Sequence, residues 1–158
     1  MDTYNNNEIK SCSFFGHRDI ENSLQLQSEI EQTIIDLILN KNVGIFYFGG
    51  FGDFDILCHT TVRKIMKQFP YLKCIFCATD DKHIKKLKKY KMINFEEYDQ
   101  IISFPLEFDY WYTRIYYRNC EIIKQSDYTV FYIRNKENSG AYKCYKYAQK
   151  LHKKIISL

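Results

Sequence analysis

Apolar residues recur in two alternating patterns along this chain. Short, almost continuously apolar runs predict strands covered on both faces, at 11–15, 43–48, 72–78, 101–104, 128–133 and 155–158. Between these runs, apolar residues three and four positions apart predict helices at 25–39, 54–69, 81–90, 110–125 and 139–153. Strands that alternate with helices throughout a chain form βαβ units. We therefore expect an α/β fold, a Rossmann-like three-layer αβα domain with a mostly parallel sheet.

Length and composition suit one domain. The chain has 158 residues, of which 46% are hydrophobic, so it can bury a sizeable core without disulfides. We expect a polar N-terminal segment at 1–10 and a single domain over 11–158. The N-terminus has neither a basic start nor an apolar run, and no segment approaches the length of a membrane span, which predicts a cytoplasmic protein with no membrane partner.

Cysteine usage and charge argue against several kinds of site. Six cysteines in a chain without an export signal are expected to be free and mostly buried. Cys74 and Cys77 have CxxC spacing, but residues three apart in a strand point to opposite faces, so we expect no metal site and no cofactor. The net charge of +4 is mild. The lysine-rich stretch 82–91 has the pattern of an exposed amphipathic helix, so we do not expect nucleic acid as a partner.

Three predicted strand ends carry residues suited to an anionic ligand. In open parallel sheets, ligands bind beyond the carboxyl ends of the strands. Glycines allow backbone N–H groups to converge on an anion, and a helix N-terminus adds partial positive charge. The candidate ligand-binding residues at these ends are Gly16, His17 and Arg18, then Gly49, Gly50 and Gly52, then Ser139 and Gly140.

Polar residues on two predicted helices complete the candidate site. Asp55 lies in the first turn after the glycines, where it is suited to contact a ribose or to act on a water molecule. Asn119 interrupts an apolar helix face beside Arg118, so we assign both to ligand contact or to organisation of the site. His59 follows Cys58 in the helix after the glycine turn, and we expect a core cysteine beside a surface histidine.

Aromatic residues are dense near the start of the fourth predicted helix. Tyr110, Trp111, Tyr112, Tyr116 and Tyr117 exceed what helix-on-sheet packing needs. This density predicts a homodimer or a higher homo-oligomer.

The chain carries five motifs in order: Phe14-Phe15-Gly16-His17-Arg18, Gly49-Gly50-Phe51-Gly52-Asp53-Phe54-Asp55, Arg118-Asn119, Ser126-Asp127 and Ser139-Gly140-Ala141. Together they resemble the SLOG superfamily, and most of all its small stand-alone members with a GHR turn, over about residues 11–158. The resemblance implies a Rossmann-like fold and a nucleotide-derived ligand. The superfamily includes Lonely Guy phosphoribohydrolases and sensor domains that bind nucleotide signals in defence systems, so the resemblance is compatible with an enzyme or with a binding protein.

Departures from the enzymes' signature favour binding over hydrolysis. The signature is P-G-G-x-G-T-x-x-E, whereas this chain has Phe48 for the proline, Asp53 for the threonine and Ile56 for the glutamate, with Asp55 one residue early. We therefore expect a protein that senses or sequesters an ADP-ribose-type signal, for instance as a phage protein acting against host defence. The alternative is an N-glycosidase acting on nucleoside 5′-monophosphates, with Asp55 as its catalytic carboxylate. A DNA-associated module is a third class, supported only by the lysine-rich stretch.

Overall fold

The computed structural model describes residues 8–104 and 110–158, apart from the side chain of Trp111. In these residues strands and helices alternate as the hydrophobic pattern predicts. The elements are β1 Lys10–Gly16, α1 Leu24–Lys41, β2 Val43–Phe48, α2 Asp53–Ile65, β3 Lys73–Ala78, α3 Asp81–Lys89, a 3-10 turn Phe95–Glu97, β4 Gln100–Ser103, α4 Trp111–Gln125, β5 Tyr128–Tyr132, α5 Gly140–Lys150 and β6 Lys154–Ser157.

The six strands form one parallel sheet in the order β4-β3-β2-β1-β5-β6. The chain starts at β1, moves outward to β4, and then returns to place β5 on the other side of β1. The strand order therefore reverses between β1 and β5, and the loops after these strands leave a crevice at their carboxyl ends. The predicted Rossmann-like α/β fold is confirmed, and every strand pairing within the described residues is parallel.

Helices cover both faces of the sheet. On one face, α1 and α2 pack with the side chains of Phe14, Phe46 and Cys74, and α3 covers the neighbouring Phe76. On the other face, α4 and α5 pack against Phe15, Cys77 and Phe131. The predicted inward stripe of α1 is buried throughout, at Leu26, Ile30, Ile34, Leu37 and Ile38. Cys74 and Cys77 lie on opposite faces, as strand geometry requires, and all six cysteines are free and buried.

Local capping accounts for the helix boundaries. Ser23 precedes α1 and its hydroxyl accepts from the Leu26 N–H, while Asn42 ends this helix in the left-handed conformation with φ 56°. The second helix ends at Ile65, four residues earlier than predicted. Tighter turn bonds, such as Gln68 N–H to the Ile65 carbonyl, bring the chain to Pro70.

The expected surface position of His59 is wrong, because this residue is only 6% exposed. Its ring stacks on Tyr98 at 4.4 Å between centroids and meets the edge of Phe48 at 5.0 Å. The segment that carries Tyr98 covers a second side of α2, so adjacent residues on this helix are both buried. Apolar periodicity marks one covered face of a helix, so it gives no sign that His59 is buried.

Candidate functional site

A cavity of about 440 Å³ opens where the strand order reverses. It brings together residues from all three predicted strand ends, namely Gly16, His17, Arg18, Gly49, Ser139 and Gly140. Asp55, Arg118 and Asn119 line it as well. Gly50 and Gly52 are not among its lining residues. We call this space the switch-point cavity.

The carboxylate of Asp55 occupies the inside of the glycine turn. Its two oxygens accept from the N–H groups of Gly49 at 3.0 Å and Gly50 at 2.9 Å. Burial raises the pKa of Asp55 to about 6, against the opposing effects of the Gly49 amide, the Arg118 charge and the Gly50 amide. The sequence suggested the Gly49 and Gly50 amides as donors to the anion of a ligand. In the structure they donate to the carboxylate of Asp55 instead.

Arg118 is a buried cation, 3% exposed, at the junction of β2, β3 and α4. Its Nη1 donates to the carbonyls of Gly49 at 3.2 Å and Cys77 at 3.4 Å, while Nε and Nη2 donate to Oδ1 of Asn119 at 3.3 and 3.0 Å. Burial lowers the pKa of Arg118, and the charge of Asp55 opposes this effect. The guanidinium therefore ties the ends of two strands to α4.

Gly49 makes room for this arginine. A Cβ added at Gly49 would lie 2.5 Å from Nη2 and 2.9 Å from Cζ of Arg118, closer than side-chain packing permits. The side-chain amide of Asn119, which accepts from Arg118, is itself held by Cys144 on α5, because its Nδ2 lies 3.7 Å from the Cys144 Sγ. The glycine after β2 and the polar pair on α4 thus act as one unit.

Backbone contacts join the turn after β1 to the turn after β2. The Asp53 N–H donates to the Arg18 carbonyl at 2.7 Å, and the Ile20 N–H donates to Oδ2 of Asp53 at 3.3 Å. Between these contacts, Gly52 has φ 97°, and an added Cβ would lie 2.9 Å from Cα of Arg18. Gly52 and Asp53 therefore position Arg18, and the Asp53 carboxylate points toward the neighbouring turn.

Arg18 forms one side of the cavity mouth. Its guanidinium carbon lies 4.4 Å from the ring centroid of Phe51, and both side chains are exposed and line the cavity. A guanidinium stacked on an aromatic ring combines a planar surface with donors suited to phosphate or carboxylate. Phe51 is not among the site residues predicted from the sequence, although its place between glycines in a strand-end turn was a usable signal.

His17 organises the loop between β5 and α5. Its Nε2 accepts from the N–H groups of Arg134 at 2.7 Å and Asn135 at 3.2 Å. An imidazole that accepts at Nε2 carries its proton on Nδ1. The side chain thus joins the turn after β1 to the loop on the far side of the cavity.

The N-terminus of α5 forms the opposite side of the cavity. Ser139 caps this helix, because its hydroxyl accepts from the Tyr142 N–H at 3.1 Å, and the first intrahelical bond runs from Lys143 to the Ser139 carbonyl. The N–H groups of Gly140 and Ala141 precede that bond, so no carbonyl of the helix can accept them. Both residues line the cavity, where these donors and the helix dipole favour an anion.

Tyr47 is a further lining residue that the sequence did not single out. It faces the α4 and α5 side of the sheet, and burial raises its pKa. A tyrosine near the end of an otherwise apolar strand is a weak signal for a polar contact at the strand end.

Neither a metal centre nor a membrane segment is found within the described ranges. No group of three or more His, Cys, Asp or Glu side chains is placed there to hold a metal ion. No helix in the same ranges is long and apolar enough to cross a membrane.

No family model matches the chain, and no curated protein matches it either. The SLOG resemblance therefore stays a prediction.

Proposed function

We propose that this protein binds a nucleotide-derived, phosphate-bearing ligand in the switch-point cavity and senses or sequesters it without cleaving it. The observation that carries the proposal is the pairing, across one cavity, of Arg18 stacked on Phe51 with the N-terminus of α5. A cation and free helix donors suit a phosphate, while the ring and the guanidinium plane suit a base. A site at a strand-order reversal is also where parallel sheets bind such ligands.

The phosphate is expected between Arg18 and the first turn of α5. The Gly49 and Gly50 amides donate to Asp55, so in this proposal the glycine turn acts mainly by placing Arg18 and Phe51. A ligand phosphate beside the Asp55 carboxylate would meet a like charge, whereas the Gly140 and Ala141 amides offer uncompensated partial positive charge.

The hydrolytic alternative rests on Asp55. This residue lines the cavity, and its pKa of about 6 suits general acid–base catalysis. Both of its oxygens, however, accept backbone hydrogen bonds, which is the arrangement of a carboxylate that holds a turn in place. Incubation with a panel of nucleoside 5′-monophosphates separates the two functions. Base release that is lost in Asp55→Asn would support the glycosidase, and no release supports binding alone.

Ligand capture tests the binding proposal directly. Mass spectrometry of the supernatant from heat-denatured protein should detect a nucleotide-derived compound, and calorimetry should show binding of ADP-ribose. Arg18→Ala should weaken that binding at least about tenfold, the loss expected for a charge-assisted contact. Arg63→Ala provides the matched control, because Arg63 is an exposed arginine in the last turn of α2 and is not part of the cavity lining. If no nucleotide binds at all, the proposal is wrong.

Self-association and a cytoplasmic location belong to the same proposal. Tyr110, Tyr112 and Tyr117 are 63%, 59% and 42% exposed, and the ring of Tyr110 stacks on that of Tyr112 at 5.5 Å near the start of α4. Exposed aromatic patches of this kind suit a homo-oligomeric interface. Analytical ultracentrifugation should give a dimer or larger species that Tyr112→Glu dissociates, and a monomeric wild-type protein would contradict this part.

A further inference from the structure

A second cavity, of about 300 Å³, lies beyond the carboxyl end of β3 between α3 and α4. Gly49, Phe51, Ile115 and Arg118 line both this space and the switch-point cavity. The two cavities are therefore neighbours that share these residues, of which Phe51 is exposed. We call the second space the α3 cavity.

The wall of the α3 cavity is apolar in its interior and cationic at its rim. Leu87, Ile93 and Ile115 supply buried or half-buried apolar surface. Lys82 and Lys86 lie four residues apart on α3, both exposed and both part of the lining. An apolar pocket with a few fixed polar groups is typical of small-molecule sites, and an aromatic base with an adjacent phosphate fits this division.

The polar groups of the α3 cavity are held in fixed orientations. The Thr79 N–H donates to Nδ1 of His83 at 3.2 Å, so a neutral ring carries its proton on Nε2 and offers a donor there. Burial lowers the pKa of His83, and the Arg118 charge acts in the same direction, which keeps the ring neutral near pH 7. Asp80 forms an ion pair with Arg114 at 3.1 Å. Among the described lining residues, Asp80 is the sole carboxylate, against Lys82, Lys86, Arg114 and Arg118.

We propose that the α3 cavity binds the distal half of a two-part ligand whose proximal phosphate lies in the switch-point cavity. The ligand passes over Phe51, its second base or sugar contacts Leu87, Ile93 and the Nε2–H of His83, and a phosphate in the linker meets Lys86. This inference rests on the proposed function and narrows it to ligands with two moieties joined through phosphate, such as ADP-ribose or a dinucleotide. The lysine-rich helix thereby takes part in the site through Lys86.

Adjacent lysines on α3 provide a matched test by calorimetry with AMP and ADP-ribose as probes. Lys86→Glu reverses a charge in the cavity lining, whereas Lys85→Glu makes the same change one residue away, at an exposed lysine outside the lining. We expect ADP-ribose to bind the wild-type protein more tightly than AMP. Lys86→Glu should weaken ADP-ribose binding at least about tenfold and AMP binding by less than about twofold, and Lys85→Glu should change neither by more than about twofold.

The two proposals fail in different ways. Equal affinity for AMP and ADP-ribose, or an equal effect of Lys86→Glu on both, overturns the two-cavity inference and leaves the switch-point site standing. Equal weakening by Lys85→Glu and Lys86→Glu also overturns it, because a general charge effect then explains the loss. Absence of binding for both probes refutes the proposed function and this inference together.

Discussion

The clearest energetic consequence of the site concerns Gly49. In a Gly49→Ala variant the new methyl group would lie 2.5 Å from Nη2 of Arg118, so the guanidinium would have to move. Gly49 is not among the residues with positive φ, so alanine can adopt its backbone conformation and the contact is the main perturbation. The stability of this variant therefore measures how much the position of the Arg118 side chain contributes to the free energy of unfolding.

The magnitude follows from the bonds that a displaced guanidinium loses. Nη1 of Arg118 donates to two buried carbonyls, at 3.2 and 3.4 Å, and buried hydrogen bonds to a charged group contribute about 1.5–3 kcal/mol each. Partial adjustment of the side chain recovers some of this, and the lower unfolded-state entropy of alanine offsets about 0.5–1 kcal/mol. We expect Gly49→Ala to lower the free energy of unfolding by about 2–4 kcal/mol.

Urea denaturation followed by circular dichroism measures this difference, with Gly140→Ala as the control. A Cβ added at Gly140 meets nothing within 4 Å, and Gly140 is the first residue of α5, so this variant should be neutral or stabilised by up to about 0.5–1 kcal/mol. A Gly49→Ala protein within about 0.5 kcal/mol of wild type would refute the reasoning, because it would mean that the position of Arg118 contributes little to stability.

Three further predictions concern Asp55, His17 and the cysteines. Burial raises the pKa of Asp55 from 3.8 to about 6, so its contribution to stability falls as pH rises through this window, by about 3 kcal/mol. The free energy of unfolding of Asp55→Asn should lack this pH dependence. If the difference in unfolding free energy between the wild-type protein and Asp55→Asn, measured by urea denaturation, stays constant between about pH 4 and 7, the prediction is contradicted. His17→Ala should speed hydrogen exchange at the Arg134 and Asn135 amides at least about tenfold, because both donate to the His17 ring; unchanged protection by NMR would argue against that role. All six cysteines are buried, and burial raises the pKa of each thiol. A disulfide reagent should therefore label the native protein only when it unfolds. Prompt labelling in buffer would show that a thiol is accessible and would contradict this prediction.

The buried charges of Asp55 and Arg118 give the site a charged interior. Both groups are buried, Asp55 in the glycine turn and Arg118 behind it, so each opposes the pKa shift that burial imposes on the other. Each also binds the backbone at the strand ends: Asp55 accepts from the Gly49 and Gly50 N–H groups, and Arg118 donates to the Gly49 and Cys77 carbonyls. A ligand at this edge therefore meets a framework that is held in place before binding, which lowers the entropy cost of association.

The sequence by itself determined the fold class, the order of the elements and the place of the candidate site. Strand and helix periods are local signals, and continuous apolar runs such as 43–48 match the observed strand limits. Because the carboxyl ends of parallel strands meet at one edge, locating the strands was enough to bring Gly16, Gly49 and Ser139 to the same cavity.

Only the tertiary structure decided which partner each polar group takes. The amides of Gly49 and Gly50 bind Asp55, and His17 holds the backbone of a loop 117 residues away. His59 is buried because a distant segment covers its helix from a second side. Such pairings depend on how turns and helices converge in three dimensions, and periodicity carries no information about that convergence. For the same reason, the composition of the glycine turn predicted an anion at this position, but only the packing of α2 against the turn showed that the anion is Asp55.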